Sequence, residues 1–465
     1  MFEETVSIDL GASYTKVSHR RECLPVKKGV FEQDAKILMV DNSPLIPSLA
    51  IRTGDKRQPW VFGWKAANMN PVGMEVFQNW KAKLFDPHDK KESLTAITVA
   101  GKFFEWLKAR LDDVGINLKK CQTRIAMPAF EKFDEQAMLV ARCLDLNGWD
   151  DPSLILKVTE PRANAIGLFS EGRNVIARNA SGELLTNYGR MFGHQNVYIQ
   201  AARGFVLHGT HENLVTVMVV DIGAFTTDIA SLTFDTTDVY DGLNAIVEKS
   251  YPLGVINDLD KPLFAGLGQR HGFSWSELSF KDSELIKRSL YNGTPYFLLT
   301  RLNGKDTQIE LGDSKDLQLI EKLAATFAAA ILQKILEIVD KKKPERVFLT
   351  GGGSLIKPVA SALKLALNRR RIPIQEVQQD SISVGTDIFR PWKETGEGLQ
   401  RLATALGGGN VILQESATPI YHGQDVTKRR VPIVLTPLGH TTCRCQGGNK
   451  DCCFCGGRGF HSVVL

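Results

Sequence analysis

The sequence predicts an α/β protein of two lobes built on one repeated plan, with a cleft between them and a small cysteine-rich knuckle at the C-terminus. Three observations carry that expectation. Two strand–Asp–x–Gly–strand units stand far apart, one around Asp9–Gly11 and one around Asp221–Gly223. A glycine triplet, Gly351–Gly353, follows the apolar run of residues 346–350. Five of the eight cysteines crowd between Cys443 and Cys455.

The bulk numbers agree with a globular protein. Of 465 residues, 43% are hydrophobic and 23% charged, which excludes a disordered or fibrous chain, and the length suits two to four compact units. The net charge of +5 is spread along the chain; it permits an anionic ligand and does not indicate nucleic acid. No apolar run approaches the ~20 residues of a membrane helix. The first residues, MFEETVSIDLG, are acidic and enter a strand directly, unlike a secretory leader, so a cytoplasmic protein is expected. No tandem repeat of 20–50 residues is present.

Taken in order, residues 5–10 (TVSIDL) and about 15–19 read as paired strands with Gly11 at the tip of the turn. Residues 94–113 read as a helix, because Ile97, Phe103, Phe104, Leu107 and Leu111 recur at helical spacing. A strand at 123–128, a helix over about 131–146, a strand at 154–159 and a helix opening at Glu160–Ala165 follow. Residues 214–222 (LVTVMVVDI) form a continuous apolar run, expected of a buried central strand, with the next strand near Ile229. A long helix over 317–340, a strand at 346–350 and a helix after Ser354, with Pro358 in its first turn, complete the set. The core should end near Gly407–Gly409. The expected lobes are residues 1–212 and 213–410, followed by a connecting segment at 411–440 and a tail at 441–465.

The two Asp units suit phosphate chemistry. Gly11 and the small residues beside it let backbone N–H groups come close to phosphate oxygens. Asp9 and Asp221 stand at strand ends, where carboxylates can hold a hydrated Mg2+. Gly223 and the hydroxyls of Thr226 and Thr227 repeat those parts from the other side. One D-x-G alone reads as a turn; two in matching contexts argue for a site. Gly351–Gly353 let the chain lie flat against a ring, and the helix beyond Ser354 directs N–H groups outward.

These motifs, in this order, resemble the DnaK-like heat-shock-70 chaperones, within the wider group of actins, heat-shock-70 proteins and sugar kinases. LIPSLA (45–50), RIAMPAFEKFDEQAM (124–138), VTEPRANAIG (158–167), YPLGVINDLD (251–260) and ELIKRSL (284–290) extend the likeness across residues 5–410. The resemblance implies a two-lobed duplicated actin-like ATPase fold with a central nucleotide cleft, binding ATP or ADP with Mg2+. Asp9 and Asp221 would be the magnesium-linked carboxylates, Glu160 would orient water and Thr226 would contact the γ-phosphate. Gly11, Ala12, Ser13, Tyr14 and Lys16 on one side, and Gly223, Ala224 and Thr227 on the other, would hold the phosphates. Gly351, Gly352, Gly353 and Ser354 would hold ribose and adenine, with Glu284, Lys287 and Arg288 clamping adenine from the opposite lobe. Without the likeness, the last three read as a solvated helix face.

The sequence departs from the family in two places. Ala67 stands where the family carries a lysine, which leaves Lys65 as the substitute or the γ-phosphate without a lysine. Ala224 and Phe225 replace glycines, and the Phe225 ring is expected to narrow the γ-phosphate pocket.

The family's peptide-binding domain, a further ~200 residues, has no counterpart in the fifty or so that remain. Their cysteines instead fit a zinc knuckle: Cys452–Gly459 matches the C-x-x-C-x-G-x-G repeat of DnaJ-type zinc domains. Cys443, Cys445, Cys452 and Cys455 would bind Zn2+ in a closed structural site, with Cys453 the alternative to Cys452, and redox-active thiols the competing reading. The tail would present a client peptide, a partner protein or nucleic acid. The functional expectation is a Mg2+-dependent ATPase whose lobes open and close to control a client or partner. The alternatives are a nucleotide-gated scaffold with little turnover and an actin-like filament protein.

Overall fold

The computed structural model describes residues 4–21, 35–70, 73–85, 90–131, 156–169, 214–235, 243–302, 305–339, 343–375 and 398–410, with short stretches between 136 and 149, 177 and 208, and 436 and 462. The fold is mixed α/β. Two sheets carry it. In the first, β1 (Glu4–Asp9) lies between β2 (Tyr14–Arg21), antiparallel to it, and the Cys121–Met127 strand, parallel to it. Leu156–Thr159 pairs in parallel on the far side of Cys121–Met127. One face, with Val6, Ile8, Val17 and Ile125, is fully buried in a core shared with Phe103, Phe104, Leu107 and Leu111 of the helix Lys90–Asp113. The helical spacing read from the sequence is therefore the face that meets the sheet.

The second sheet repeats that local pairing. The strand Leu214–Ile222 is antiparallel to Thr227–Asp235 and parallel to Arg346–Thr350. Leu243–Tyr251 extends it beyond Thr227–Asp235, and Ile374–Gln375 beyond Arg346–Thr350. Met218, Val220 and Ile222 pack on one side with residues of Lys261–His271, Ser314–Val339 and Lys357–Arg369. Val217 and Val219 pack on the other with Leu402 and Leu406. Both faces of the central strand are covered, which explains its predominantly apolar sequence.

Between the sheets lie two helices, named here αA (Glu160–Phe169) and αB (Leu399–Asn410). Gly407–Gly409, expected as the end of the core, are inside αB. Three glycines cost a helix about 1 kcal/mol each relative to alanine, and close approach explains them. A Cβ on Gly407 would lie 1.6 Å from the Ala163 carbonyl oxygen, and one on Gly167 would lie 1.8 Å from that of Ala403. On the first sheet's side, a Cβ on Gly408 would meet the Ser7 hydroxyl at 2.2 Å, and Ser18 Oγ donates to the Ala405 carbonyl at 2.6 Å. Gly407→Ala is therefore expected to lower stability by about 2 kcal/mol or more, as overpacking does, measured by the urea midpoint.

Most expected elements are present with shifted ends. The helix expected at 94–113 begins at Lys90, the one at 317–340 spans Ser314–Val339, and the strand expected at 154–159 is described from Leu156. After Arg346–Thr350 a 3-10 turn, Gly352–Leu355, precedes the helix Lys357–Arg369, with Pro358 in its first turn. The helix expected over 131–146 lies only in part within the described residues. Cys443, Cys445, Cys452 and Cys455 lie outside them, as does 411–435. The chain on either side of the cysteines is described: His440–Thr442 pairs antiparallel with Phe460–Ser462. No helix among the described residues is long and apolar enough to cross a membrane.

Candidate functional site

A cavity of about 570 Å³ opens where β1, Leu214–Ile222 and Arg346–Thr350 present their carboxyl ends. Ligands of open α/β sheets bind at such ends. The turn after β1 gives it Asp9, Gly11, Ala12, Ser13, Tyr14 and Lys16. A Cβ on Gly11 would lie 2.0 Å from the Tyr14 carbonyl oxygen, so the turn requires glycine. Ser48 ties the turn down: its hydroxyl donates to the Gly11 carbonyl at 2.6 Å and its N–H to the Ser13 carbonyl at 2.8 Å. Asp9 and Lys16 are register partners, and Lys16 Nζ donates to Asp9 Oδ2 at 2.6 Å.

The second turn gives Asp221, Gly223, Ala224, Phe225 and Thr226. Asp221 is held from three elements. Asn164 of αA donates to its Oδ2 at 2.6 Å and Thr404 of αB at 3.0 Å, while Thr350 orients the Asn164 amide at 3.0 Å. Burial, with the charges of Asp228 and Asp9, pushes the Asp221 carboxyl up to about 7 against the pull of Lys16. Gly351 adopts φ 79°, and a Cβ there would strike Asp221 Oδ1 at 2.2 Å. Gly352 borders open space, and Gly353 completes that wall. Phe225 is buried and packs edge-on against Phe130, 6.2 Å between centroids. It forms the wall between cavity and first core.

The lysine is not where the sequence suggested. Residues 63–67 form a one-turn helix whose inward positions are Ala66 and Ala67. Lys65 is therefore on the outer side, exposed, with Nζ donating to Gln58 Oε1 at 3.1 Å, and it does not line the cavity. Lys81, on the helix Trp80–Phe85, does line it, with Nζ 2.5 Å from Glu160 Oε1 and both side chains buried. Burial pushes the Glu160 carboxyl up; Lys81 opposes this, while Asp228 and Asp9 add to it. Asp228, which the sequence reading gave no role, accepts from Thr226 Oγ1 at 2.8 Å and from Ser250 Oγ, and burial raises its carboxyl too. The inner end of the cavity thus gathers Asp9, Glu160, Asp221 and Asp228 around Lys16 and Lys81.

The outer end is a second polar cluster on the helix Phe280–Tyr291. Lys287 Nζ donates to Asp260 Oδ2 at 3.0 Å and pairs with Glu284, and Tyr291 donates to Asp260 Oδ1 at 2.5 Å. Burial raises the Glu284 carboxyl, but Lys287 and the Tyr14 hydroxyl outweigh it and hold the group below its ordinary value. Tyr14 donates to Glu284 Oε2 at 3.1 Å, a link from the first sheet to the second half of the chain. Arg401 of αB lies over the Tyr14 ring, 5.3 Å from its centroid, and lines the cavity, as does the exposed Arg288. Two expected contacts are absent from the lining. Ser354 Oγ donates to the Gly351 carbonyl at 2.7 Å, and Thr227 Oγ1 to that of Leu253 at 2.7 Å. Both hydroxyls shape the turns instead.

Sequence reasoning missed Lys81, Asp228, Asp260 and Arg401. Lys81 had one local signal: a lysine among Trp80, Leu84 and Phe85, all of which are buried. No protein-family model matches the chain, and no curated protein matches it in sequence.

Proposed function

We propose that this chain is an ATP-binding protein of the DnaK-like heat-shock branch, with the two-lobed duplicated actin-like fold and Mg2+-dependent ATP hydrolase activity. The observation that carries the reading is convergence: two Asp–x–Gly turns and a glycine triplet, more than 100 residues apart in sequence, line one cavity. The matching strand pairings of the two sheets support the duplicated plan. The cavity volume lies in the ~300–1,000 Å³ range of small-molecule sites.

The donor set fits a divalent cation. Four carboxyl groups face two lysines; burial raises Glu160, Asp221 and Asp228, and neighbouring carboxylates add to it at Glu160 and Asp221, a strain that a bound cation relieves. Asp9 and Asp221 are the carboxylates to hold a hydrated Mg2+, which would neutralise charge on the β- and γ-phosphates. Phosphoryl transfer depends on positioning and charge more than on covalent help from the protein. Lys16 and Lys81 supply fixed positive charge. The turn N–H groups of Gly11–Tyr14 and Gly223–Thr226 supply donors. Glu160 and Asp228, with raised affinity for a proton, are placed to accept the one released when water attacks the γ-phosphorus and the bond to the β-phosphate oxygen breaks. Glu284, Lys287, Arg288 and Arg401 frame the base.

The tail cysteines Cys443, Cys445, Cys452 and Cys455 would form the zinc knuckle, and the strands on either side of them, His440–Thr442 and Phe460–Ser462, pair with each other. The knuckle presents a client or partner, and the protein works in the cytoplasm. The test is ATP hydrolysis by the purified chain with binding measured on the same sample. Turnover is expected, with Asp9→Asn lowering kcat by about 100-fold, the loss typical of removing one transition-state contact. Absence of ATP binding by calorimetry would overturn the assignment; binding without turnover would make the protein a nucleotide-gated scaffold.

A further inference from the structure

A second cluster of chemistry-bearing side chains lies at the other end of the first sheet. Glu4 opens β1 and Cys121 opens its parallel neighbour, and the two are register partners. His19 on β2 stands opposite Val6, two positions along β1. Side chains alternate along a strand, so Glu4, His19 and Cys121 emerge on one face, the face of Val6, Ile8, Val17 and Ile125. Three potential ligands thus close the end of an apolar face. Asp9 is at the opposite end of β1 and on its other face, about 17 Å away by strand rise. The cluster is therefore separate from the cavity.

The geometry is close to that of a metal site. Glu4 Oε2 is 2.8 Å from His19 Nε2 and 3.6 Å from Cys121 Sγ, and all three ligand atoms lie within 4.8 Å of one another. Tetrahedral zinc, with bonds of about 2.0–2.3 Å, sets its ligands roughly 3.3–3.8 Å apart. Opening the Glu4–His19 contact by less than an ångström brings that pair into range. Cys121 is buried, while the side chains of Glu4 and His19 are 24% and 13% exposed, so the fourth position is on the solvent side, where water can fill it.

We propose that Glu4, His19 and Cys121 form a Zn2+ site, three protein ligands and one water, that staples β1, β2 and the Cys121–Met127 strand at the end remote from the cavity. The donor set selects the metal: a thiolate and an imidazole disfavour Mg2+ and Ca2+, and one sulfur, one nitrogen and one oxygen in a tetrahedral arrangement suit zinc. A reactive nucleophile is the other use of a cysteine beside a histidine. Here Cys121 is buried and its Sγ donates to Glu4 Oε2 and to the Asn117 carbonyl, so the thiol is not presented to a substrate. Binding Zn2+ exchanges the thiol proton for a metal–sulfur bond, and the proton leaves to solvent.

Cobalt(II) titration of the metal-stripped full chain tests the site, because thiolate-bound tetrahedral cobalt absorbs in the near-ultraviolet and visible. The tail cysteines contribute their own bands, so the readout is a difference between variants. Cys121→Ser is expected to lose one cobalt equivalent per chain relative to the parent, with the matching sulfur charge-transfer absorbance. His19→Gln, which retains an amide donor for Glu4, is expected to lose the same equivalent and serves if Cys121→Ser does not fold by circular dichroism. A chain with Cys443, Cys445, Cys452 and Cys455 all changed to serine is expected to retain that equivalent. Unchanged stoichiometry and spectrum in His19→Gln would overturn the proposal and leave a hydrogen-bonded Glu4–His19–Cys121 trio without metal.

Discussion

Lys81→Ala is expected to lower ATP turnover by at least about 100-fold, while Lys65→Ala leaves it unchanged. The two lysines are 16 positions apart, and only Lys81 lines the cavity. Its ammonium is the buried cation beside Glu160, at 2.5 Å. Removing it has two consequences that must be separated. It takes positive charge from the end of the cavity where the carboxyl groups gather, and it leaves Glu160 buried without its partner. Breaking a buried pair from one side costs about 3–5 kcal/mol, and protonation of Glu160, already favoured by burial, reduces that cost. A double variant, Lys81→Ala with Glu160→Gln, removes the pair together. It is expected to regain most of the urea stability lost by Lys81→Ala and none of the turnover, a non-additivity that a mutant cycle reads directly. Full activity in Lys81→Ala, or loss of activity in Lys65→Ala, would restore Lys65 to the role the sequence suggested.

That misplacement shows where the sequence stops being legible. Strands with both faces buried announce themselves, as residues 214–222 do, because most side chains on both sides must be apolar. The Asp9 and Asp221 turns are legible for a similar reason: glycine, carboxylate and strand end are local features, and the constraint at Gly11 comes from Tyr14, three residues away. Lys81 is different. Its position depends on how the helix Trp80–Phe85, packed on Lys90–Asp113, brings it to Glu160 at the start of αA, a contact across 79 residues that leaves only a lysine among buried aromatics as its trace. The Tyr14–Glu284 link spans 270 residues and leaves none. Gly407–Gly409 read only as the place where the core ends, and nothing local says that they belong to a helix. Here each is dictated by the backbone or side chain of another element, which sequence spacing does not encode.

Asp221→Asn is expected to abolish turnover and at the same time stabilise the ligand-free protein at pH 8. The sign follows from its carboxyl, which sits at about 7 in the folded chain against an ordinary 3.8. Between those values the folded protein holds a proton that the unfolded chain has released. The contribution is therefore most favourable at acid pH, declines as pH rises from about 4 to 7, and is fully lost above 7. A displacement of that size is worth on the order of 4 kcal/mol at ~1.4 kcal/mol per unit. Asparagine has no such proton to lose, and its amide oxygen can accept the same bonds from Asn164 and Thr404. The gap in Tm between variant and parent should thus widen from pH 5.5 to pH 8. Glu160 and Asp228 are raised in the same direction, so some pH dependence remains in the variant. Mg2+ with ATP should raise the parent's Tm at pH 8 and shift the variant's far less, because the relief of repulsion at this carboxylate is the part of binding that the variant lacks. A gap that is constant with pH would mean that Asp221 is already ionised without ligand, and would remove the electrostatic strain from the case for a cation.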